Sequence, residues 1–238
     1  MSIDAPGGPT EHAAEPAGAR KLHLGGRFAG HPRAAELAAA ASALLHRYAS
    51  EVVYAHRLCP FLQNVETGMG AVCVMLDTEP DVARTTAALL ASGSNVAHVL
   101  FPLVRGEAPP FERFGNKLSE SVRKARSEPL VHASFHPRMV GGYENAHRMV
   151  GLLRRAPDPF VQFIPPGMQA GGTVHASETP SDEPYVESTF RRLGGPVSGA
   201  ELSAGFAAIE ALLASLHRAR EESYAALAEE IAASASAG

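Results

Sequence analysis

Short apolar runs alternate along the chain with longer segments in which apolar residues recur every three or four positions. The runs are AVCVML from Ala71, VAHVLFPLV over residues 96–104, LVHASFH from Leu130 and PFVQFIPP from Pro159. Runs of this length are typical of buried strands, and the periodic segments are typical of helices that pack on one side. A chain built this way buries a sheet beneath helices. The sequence therefore predicts an α/β or α+β sandwich with roughly four strands in a central sheet.

Helices are predicted around these strands. A long N-terminal helix is expected to begin at Pro32 and to end before Pro60, because proline is tolerated in the first turn and pushes the preceding residue out of the helical region. Further helices are predicted over residues 80–91, over residues 111–127 and in YENAHRMVGLLRRA between the third and fourth strands. Residues 198–233 are predicted to be helical, as two helices if the segment breaks near Gly205.

Two segments are predicted to lie outside the regular structure. Residues 1–30 are rich in Pro, Gly and Ala and show no apolar period, so we expect a disordered tail before a single globular domain over residues 31–238. Residues 166–184 have the composition of a long loop, and such loops in compact domains are often functional. We interpret this loop as a lid over a pocket.

The amino-acid composition limits the classes of binding partner that we expect. The net charge of -4 over 238 residues gives no electrostatic reason to expect nucleic acid or an anionic membrane as the main partner. No window approaches the roughly 18 apolar residues of a membrane span, and the N-terminus has neither the basic start nor the apolar run of a signal peptide. The two cysteines, Cys59 and Cys73, do not have the spacing of a disulfide framework. We therefore expect a cytoplasmic protein with a small-molecule substrate, and the Ala- and Leu-rich terminal helices would provide a homodimer surface if they pack together.

Three histidines lie within residues 130–148, in LVHASFHPRMVGGYENAHR. Because side chains alternate along a strand, His132 and His136 are predicted to share one face with Cα atoms about 13 Å apart, too far to bind one metal ion. His136 precedes Pro137 at the expected end of the strand, where α/β proteins tend to place ligands. His136 is therefore the leading candidate, and the alternative is a histidine that hydrogen-bonds a neighbouring carbonyl.

Arginines surround His136 in the sequence. Arg138 lies two residues after it, and His147, Arg148, Arg154 and Arg155 lie on or beside the next predicted helix. Guanidinium groups that converge near His136 would bind a carboxylate or a phosphate. The alternative is a solvated helix face with packed aliphatic stems.

Cys59 lies in HRLCPF, three residues after His56. This spacing places the imidazole and the thiol on one helix face if the helix extends that far. Cys59 is therefore a candidate metal ligand, haem ligand or redox thiol, and the alternative is a small buried hydrophobe. No GxSxG elbow, Walker-type loop, HExxH motif or glycine fingerprint is present, which weakens the hydrolase, NTPase and dinucleotide-binding interpretations.

Three motifs resemble those of the bacterial domain-of-unknown-function family fourteen-fifteen: LCPF at residues 58–61, FHP at residues 135–137 and RRAPDPFVQFI at residues 154–164. The resemblance covers roughly residues 34–166. Members of that family carry an Asn-Arg-Ser-Pro-Tyr-Pro segment where this chain has RRAPDP. The arginine and both prolines match, whereas the asparagine and tyrosine do not, so the roles of those two residues do not transfer.

The Cys-Pro-Phe start and the later arginine-proline strand are also similar to YqcI/YcgG-type proteins, some of which are haem-dependent oxygenases that act on nitrogen of amino acids or guanidines. This resemblance implies a haem-dependent oxidoreductase in which His136 ligates the iron and His147 takes part in catalysis. Cofactor contacts are then expected from Cys59, Arg138, Arg148, Arg154 and Arg155, and pocket walls from Phe135, Met139, Phe160 and Phe163. The alternatives are a non-catalytic module that binds a small carboxylate or phosphate, and a non-haem metal enzyme that uses His136 with His147 or Glu144.

Overall fold

A five-stranded mixed sheet runs through the centre of the protein in a computed structural model. The structure describes residues 22–59, 62–166, 169–170, 173–174, 182–196 and 202–234. The strands of the sheet are β1 (Leu22–Gly25), β2 (Ala71–Met75), β3 (Ala97–Leu100), β4 (Val131–Phe135) and β5 (Phe160–Ile164). Their spatial order is β1-β2-β3-β5-β4. The first three strands are parallel, and β5 runs antiparallel to both of its neighbours.

Helices connect and cover these strands. They are α1 (Ala34–Arg47), α2 (Val65–Gly68), α3 (Val82–Ser92), α4 (Ala108–Ala125), α5 (Ala146–Leu153), α6 (Asp182–Arg192), α7 (Ala204–Ser223) and α8 (Ala225–Ala233). A π-helical segment, Tyr48–Tyr54, continues directly from α1, and a small hairpin joins β6 (Gln169–Ala170) to β7 (Thr173–Val174). Among the described residues, no helix is both long enough and apolar enough to cross a membrane.

The sheet separates two hydrophobic cores. Side chains alternate across β2, so that Val72 and Val74 face a core shared with α1, α5, α7 and α8. Cys73 and Met75 face the opposite core, shared with α3 and α4. Helices on both faces of a mixed sheet confirm the predicted sandwich, and the complete burial of Cys73 agrees with a core position.

The sheet has one strand more than the sequence predicted, and the predicted disordered tail is wrong over its last residues. Leu22–Gly25 form β1, which pairs in parallel with β2, and the chain continues through described residues into α1. β1 is a short edge strand in which Leu22 and Leu24 remain 42% and 39% exposed, so it lacks the apolar run of a buried strand. Backbone pairing with β2, which sequence periodicity does not reveal, determines its structure. Residues 1–21 lie outside the described residues.

The C-terminal helices also differ from the prediction. The break falls at Tyr224, whose backbone leaves the helical region (φ -147°, ψ 7°), and Gly205 lies inside the first turn of α7. A Cβ at Gly205 would come within 2.6 Å of the Leu193 carbonyl oxygen, so this glycine permits close helix packing. Part of the predicted loop, from residue 182, is helix α6. Most of the predicted lid over residues 166–184 lies outside the described residues.

A buried ion pair ties the C-terminal helices to the start of β5. Asp158 and Arg220 are 2% and 4% exposed, and Arg220 Nε donates to Asp158 Oδ1 over 2.6 Å. The Tyr224 hydroxyl donates to Asp158 Oδ2 over 2.5 Å, and Arg220 Nη2 donates to the Pro102 carbonyl over 3.1 Å. Burial, followed by Asp158, raises the pKa of Tyr224, which remains a protonated donor. The network therefore satisfies both carboxylate oxygens of Asp158.

We predict that Arg220→Met lowers the free energy of unfolding by about 3–5 kcal/mol, because it leaves the Asp158 carboxylate buried without its cation. The double variant Arg220→Met with Asp158→Leu is expected to recover part of this loss, since neither charge then remains. Urea denaturation measures both changes. The exposed Arg218 on α7 is the matched control, and Arg218→Met is expected to stay within about 0.5 kcal/mol of the wild type. Equal losses at Arg218 and Arg220 would contradict the role of the ion pair.

Candidate functional site

A cavity of about 300 Å³ lies on the face of the sheet formed by β3, β5 and β4. Side chains of α1, the π-helical segment, α5 and α6 enclose it from above, and most of its walls are apolar. The polar lining residues are Tyr48, Cys59, His98, Arg154, Gln162, Tyr185 and the buried Thr189, together with His132, whose ring points to the opposite face of the sheet. An apolar hollow with a few polar groups is the usual form of a small-molecule site.

Three aromatic rings form the wall nearest β4. The Phe135 and Phe160 rings are stacked, with centroids 4.2 Å apart and planes inclined by 7°. Tyr48 meets both rings edge-on, at 6.3 Å from Phe135 and 6.1 Å from Phe160. Phe135 and Phe160 line the cavity as the sequence predicted. Phe163 faces the opposite core, and Met139 is buried but is not a lining residue.

Arg154 brings a positive charge to this wall. Its guanidinium carbon lies 5.8 Å from the centroid of the Phe135 ring. Among the described residues, its guanidinium has neither an ion pair nor a hydrogen bond. Burial is the main cause that lowers the pKa of Arg154, with smaller opposing effects from Tyr48 and Glu112. Among the described residues, Arg154 is therefore a partly exposed cation in largely apolar surroundings that has no carboxylate in direct contact, and Glu112 acts on it only from a longer distance.

The backbone around Arg154 is fixed from two sides. The Tyr48 hydroxyl donates to the carbonyl of Leu153, and the His136 amide donates to the carbonyl of Arg154 over 3.0 Å. Tyr48 is 2% exposed, and burial raises the pKa of its hydroxyl, which therefore stays protonated as a donor. Tyr48 begins the π-helical segment, a type of helix distortion that is frequent at functional sites. Tyr48, at the first position of this segment, thus helps to fix the backbone from which the Arg154 side chain extends.

His98 and Gln162 form a hydrogen-bonded pair on the floor of the cavity. His98 Nδ1 lies 2.9 Å from the Met69 carbonyl oxygen, and Gln162 Nε2 lies 3.1 Å from His98 Nε2. A carbonyl oxygen can only accept, so Nδ1 carries the proton and Nε2 accepts from the glutamine. Burial lowers the pKa of His98 to about 4, and the ring is therefore neutral near pH 7. Both ring nitrogens of His98 are satisfied by the protein.

Cys59 reaches the cavity because the chain reverses at the end of the π-helical segment. Arg57 has a left-handed backbone (φ 49°), a conformation that commonly ends helices and is uncommon for a residue other than glycine. The Arg57 carbonyl accepts from the Tyr185 hydroxyl over 2.5 Å and from Arg192 Nη2 over 3.1 Å, so α6 holds this reversal in place. Cys59 lines the cavity together with Tyr48 and Tyr185.

His136 lies on the other side of the sheet from the cavity. As predicted, it shares a face with His132, and both rings contact α4. His132 Nε2 lies 3.1 Å from Asn116 Oδ1, and the His136 ring centroid lies 5.7 Å from that of Phe111. His136 is 2% exposed, and its Nδ1 accepts from the Arg138 amide over 3.0 Å. Its Nε2 makes no hydrogen bond of good geometry with a described residue, although the nearby Gly106 backbone opposes the fall in the pKa of the ring. Burial, followed by Arg138, lowers the pKa of His136. His136 therefore orders a turn beneath α4.

The structure does not bring the other predicted residues together around His136. Arg138 is exposed and pairs with Glu107, His147 is exposed on α5, and Arg148 lies 3.8 Å from Glu144 on the surface. Arg155 donates from Nε to the Met139 carbonyl over 3.0 Å and from Nη2 to the Gly141 carbonyl over 2.9 Å. Only Arg154 and Cys59, of the predicted set, line the cavity. Neighbours in sequence diverge here because β4 and the corner after α5 turn their side chains to different faces.

These positions do not fit haem ligation at His136. Its ring is sealed beneath α4, it does not line the cavity, and the predicted arginines point to separate places. In the part of the chain that the structure describes, no three His, Cys, Asp or Glu side chains are grouped so that they could hold a metal ion. His136 and the exposed His147 are not brought together as a non-haem site requires. Haem binding stays a prediction from the sequence motifs.

Comparison with known proteins identifies no relative of this chain. No family model matches the chain, and no curated protein or solved structure is significantly similar to it.

Sequence reasoning missed His98, Gln162 and Tyr48 as site residues. Each was visible as a polar side chain inside an apolar segment: His98 in AHVL, Gln162 in FVQFI, and Tyr48 within the periodic helix. A polar residue at a buried position requires a hydrogen-bond partner, and that requirement is the signal that would have identified them. Which partner each one finds depends on the strand order β3-β5-β4, in which His98 and Gln162 are register neighbours.

We predict that protonation of His98 destabilises the fold as the pH falls. Its folded pKa, about 4, lies below the unfolded value of 6.5, so the unfolded chain binds the proton first. The stabilisation is complete above pH 6.5 and is lost towards pH 4, by about 3 kcal/mol in the free energy of unfolding. Urea denaturation between pH 7 and pH 4 should show a steeper fall for the wild type than for His98→Asn, which keeps a donor for Met69. Identical pH slopes would rule out His98 as the cause.

A second prediction concerns the acceptor role of His136. His136→Asn retains an acceptor for the amide two residues ahead, as asparagine does in Asx-turns, whereas His136→Ala removes it and leaves a void. We expect losses of unfolding free energy of about 1–2 kcal/mol for the asparagine variant and about 2–4 kcal/mol for the alanine variant. Chemical denaturation measures both. If asparagine costs as much as alanine, the contact between Nδ1 and Arg138 contributes nothing to stability.

Proposed function

We propose that this protein binds a small carboxylic acid with an apolar body in the cavity above β3, β5 and β4, with Arg154 as the anion anchor. The observation that carries the proposal is the Arg154 guanidinium, a cation beside an apolar cavity with no carboxylate partner among the described residues. A buried charge is costly unless it is paired. A ligand carboxylate would supply the missing partner, and the guanidinium fork matches its two oxygens.

Charge balance favours a carboxylate over a phosphate. Arg154 is the single arginine or lysine among the described lining residues, and His98 is neutral near pH 7 because its pKa is about 4. A monoanion leaves this pair electrically neutral, whereas a phosphate dianion would leave a net negative charge in apolar surroundings. The buried Tyr48 hydroxyl is engaged with Leu153 and is not available to neutralise a second charge.

The walls and the size of the cavity define the body of the ligand. A volume of about 300 Å³ lies at the small end of the range of roughly 300–1,000 Å³ for small-molecule sites. The stacked pair of Phe135 and Phe160 presents flat aromatic surface beside the cation. A small aromatic or branched aliphatic acid matches this combination, because its apolar body covers the rings while its carboxylate reaches Arg154.

We predict that phenylacetate binds to the wild-type protein more tightly than phenylacetamide, which has nearly the same shape but no charge. Arg154→Gln is expected to weaken phenylacetate binding by about 10- to 100-fold, the range for a charge-assisted hydrogen bond, and to leave phenylacetamide binding unchanged. Isothermal titration calorimetry measures both affinities. Inorganic phosphate, added as a competitor, is expected not to displace phenylacetate.

Arg123→Gln is the matched control, because Arg123 is exposed on α4, on the other side of the sheet from the cavity, and the substitution removes the same charge. It is expected to bind phenylacetate as the wild type does. Equal affinities in the wild type and in Arg154→Gln would overturn the proposal. Displacement of phenylacetate by phosphate would assign the site to a phosphorylated ligand.

A further inference from the structure

Gln162 presents an unused hydrogen-bond acceptor at the same cavity. His98 Nδ1 donates to the Met69 carbonyl, so the neutral ring must accept at Nε2 from the Gln162 amide nitrogen. This chain of contacts fixes which end of the Gln162 amide is nitrogen and which is oxygen. Oε1 is therefore the amide atom that is directed away from His98. It has no hydrogen-bond partner among the described residues and is not sealed from solvent.

The surroundings of Gln162 leave room for a ligand group. Gln162 lies on β5 opposite Ala133 of β4, and both line the cavity. The methyl side chain of Ala133 is small, so the space beside the amide is not filled from β4. In contrast, the next pair on the same face is Phe135 with Phe160, whose stacked rings close the wall below Arg154.

From this placement we infer that Gln162 is a specificity-determining residue that accepts a hydrogen bond from a hydroxyl or N–H group of the ligand, at the end opposite its carboxylate. The inference rests on the proposed function, because the carboxylate at Arg154 fixes the orientation of the ligand. His98 is a positioning residue that acts through Gln162. The ligand class is thereby narrowed to apolar acids that carry a second, donor-bearing polar group.

The register of β5 gives a scale for the length of the ligand. Arg154 lies over Phe135, which pairs with Phe160, and Gln162 follows Phe160 by two residues on the same face of β5. Two residues along a strand span about 6.6 Å. A para-substituted benzene ring with one methylene group separates a hydroxyl from a carboxylate by a distance of this order. 4-Hydroxyphenylacetate is therefore a suitable probe.

The test compares three acids that share one carboxylate and one ring: phenylacetate, 4-hydroxyphenylacetate and 4-methoxyphenylacetate. The wild type is expected to bind the hydroxy acid about five- to tenfold more tightly than the other two, the value of a neutral hydrogen bond. The methoxy acid can accept but cannot donate. If it matches or exceeds the hydroxy acid, the amide recognises an acceptor through its second N–H and the inference is overturned.

Two variants separate recognition from folding. Gln162→Met removes the acceptor at similar volume, and the ratio of the affinities for the hydroxy acid and for phenylacetate is expected to fall to about one. His98→Asn keeps the donor to Met69 but releases Gln162, and is expected to reduce the preference in the same direction. The three-ligand series in the wild type remains decisive if either variant does not fold.

Failure of the inference and failure of the proposed function give different results. Binding of phenylacetate that depends on Arg154, with no preference for the hydroxy acid, would overturn the role of Gln162 and leave the anion site in place. Absence of binding by all three acids would overturn the anion site and the inference with it. A hydroxyl preference that persists unchanged in Gln162→Met would place the donor contact at another residue and overturn the assignment.

Discussion

The buried ion pair between Asp158 and Arg220 is the interaction on which the arrangement of this protein depends. Asp158 lies at the corner between α5 and β5, and Arg220 and Tyr224 lie at the end of α7. A carboxylate this deeply buried is stable only with its cation and hydrogen-bond donors in place. The pair therefore fixes the C-terminal helices against the start of β5. It also fixes the corner from which Arg154 extends.

Three side chains of that corner, RRAPDP at residues 154–159, have three different roles. Arg154 reaches the cavity, Arg155 donates to the carbonyls of Met139 and Gly141, and Asp158 pairs with Arg220 on α7. The same corner accepts a backbone hydrogen bond from His136 at the end of β4. The ordering of the ligand-binding cation and the stability of the fold thus share one short segment. The two prolines suit it, because each restricts the backbone where the chain must change direction.

Polar groups in the cavity differ in how far the protein already satisfies them. The Tyr48 hydroxyl donates to the backbone, and the two ring nitrogens of His98 contact the backbone and Gln162. Arg154 and the Gln162 oxygen retain theirs, since no described residue pairs with either. A cation and an acceptor that no described residue pairs, on apolar walls, are the basis for the proposed ligand, which offers an anion and a donor. The desolvation cost of binding is lowest for such a ligand, because each polar group that leaves water gains a hydrogen bond or an ion pair in the site.

Much of the fold followed from local pattern. Four apolar runs predicted β2 to β5, and the three-to-four periodicity predicted α1, α3, α4, α5 and the C-terminal helices, because burial on one face imposes the period of the element. β1 was missed, since an edge strand of four residues is stabilised by pairing with β2 and not by its own composition. The break at Tyr224 was misplaced to Gly205, because the hydrogen bond of Tyr224 to Asp158 comes from a distant part of the chain.

For the site, the sequence by itself determined the residue types and the alternation that puts His132 and His136 on one face. The sequence also identified Arg154 and Cys59 as candidate site residues. Which residues meet was decided by the tertiary structure alone. The strand order β1-β2-β3-β5-β4 places β5 between β3 and β4, so that His98 contacts Gln162 although 64 positions separate them. His136 and Arg154 share a backbone hydrogen bond, yet their side chains face opposite sides of the sheet. The physical reason is that periodicity records which face of an element is buried, whereas the partner on that face depends on how distant elements pack.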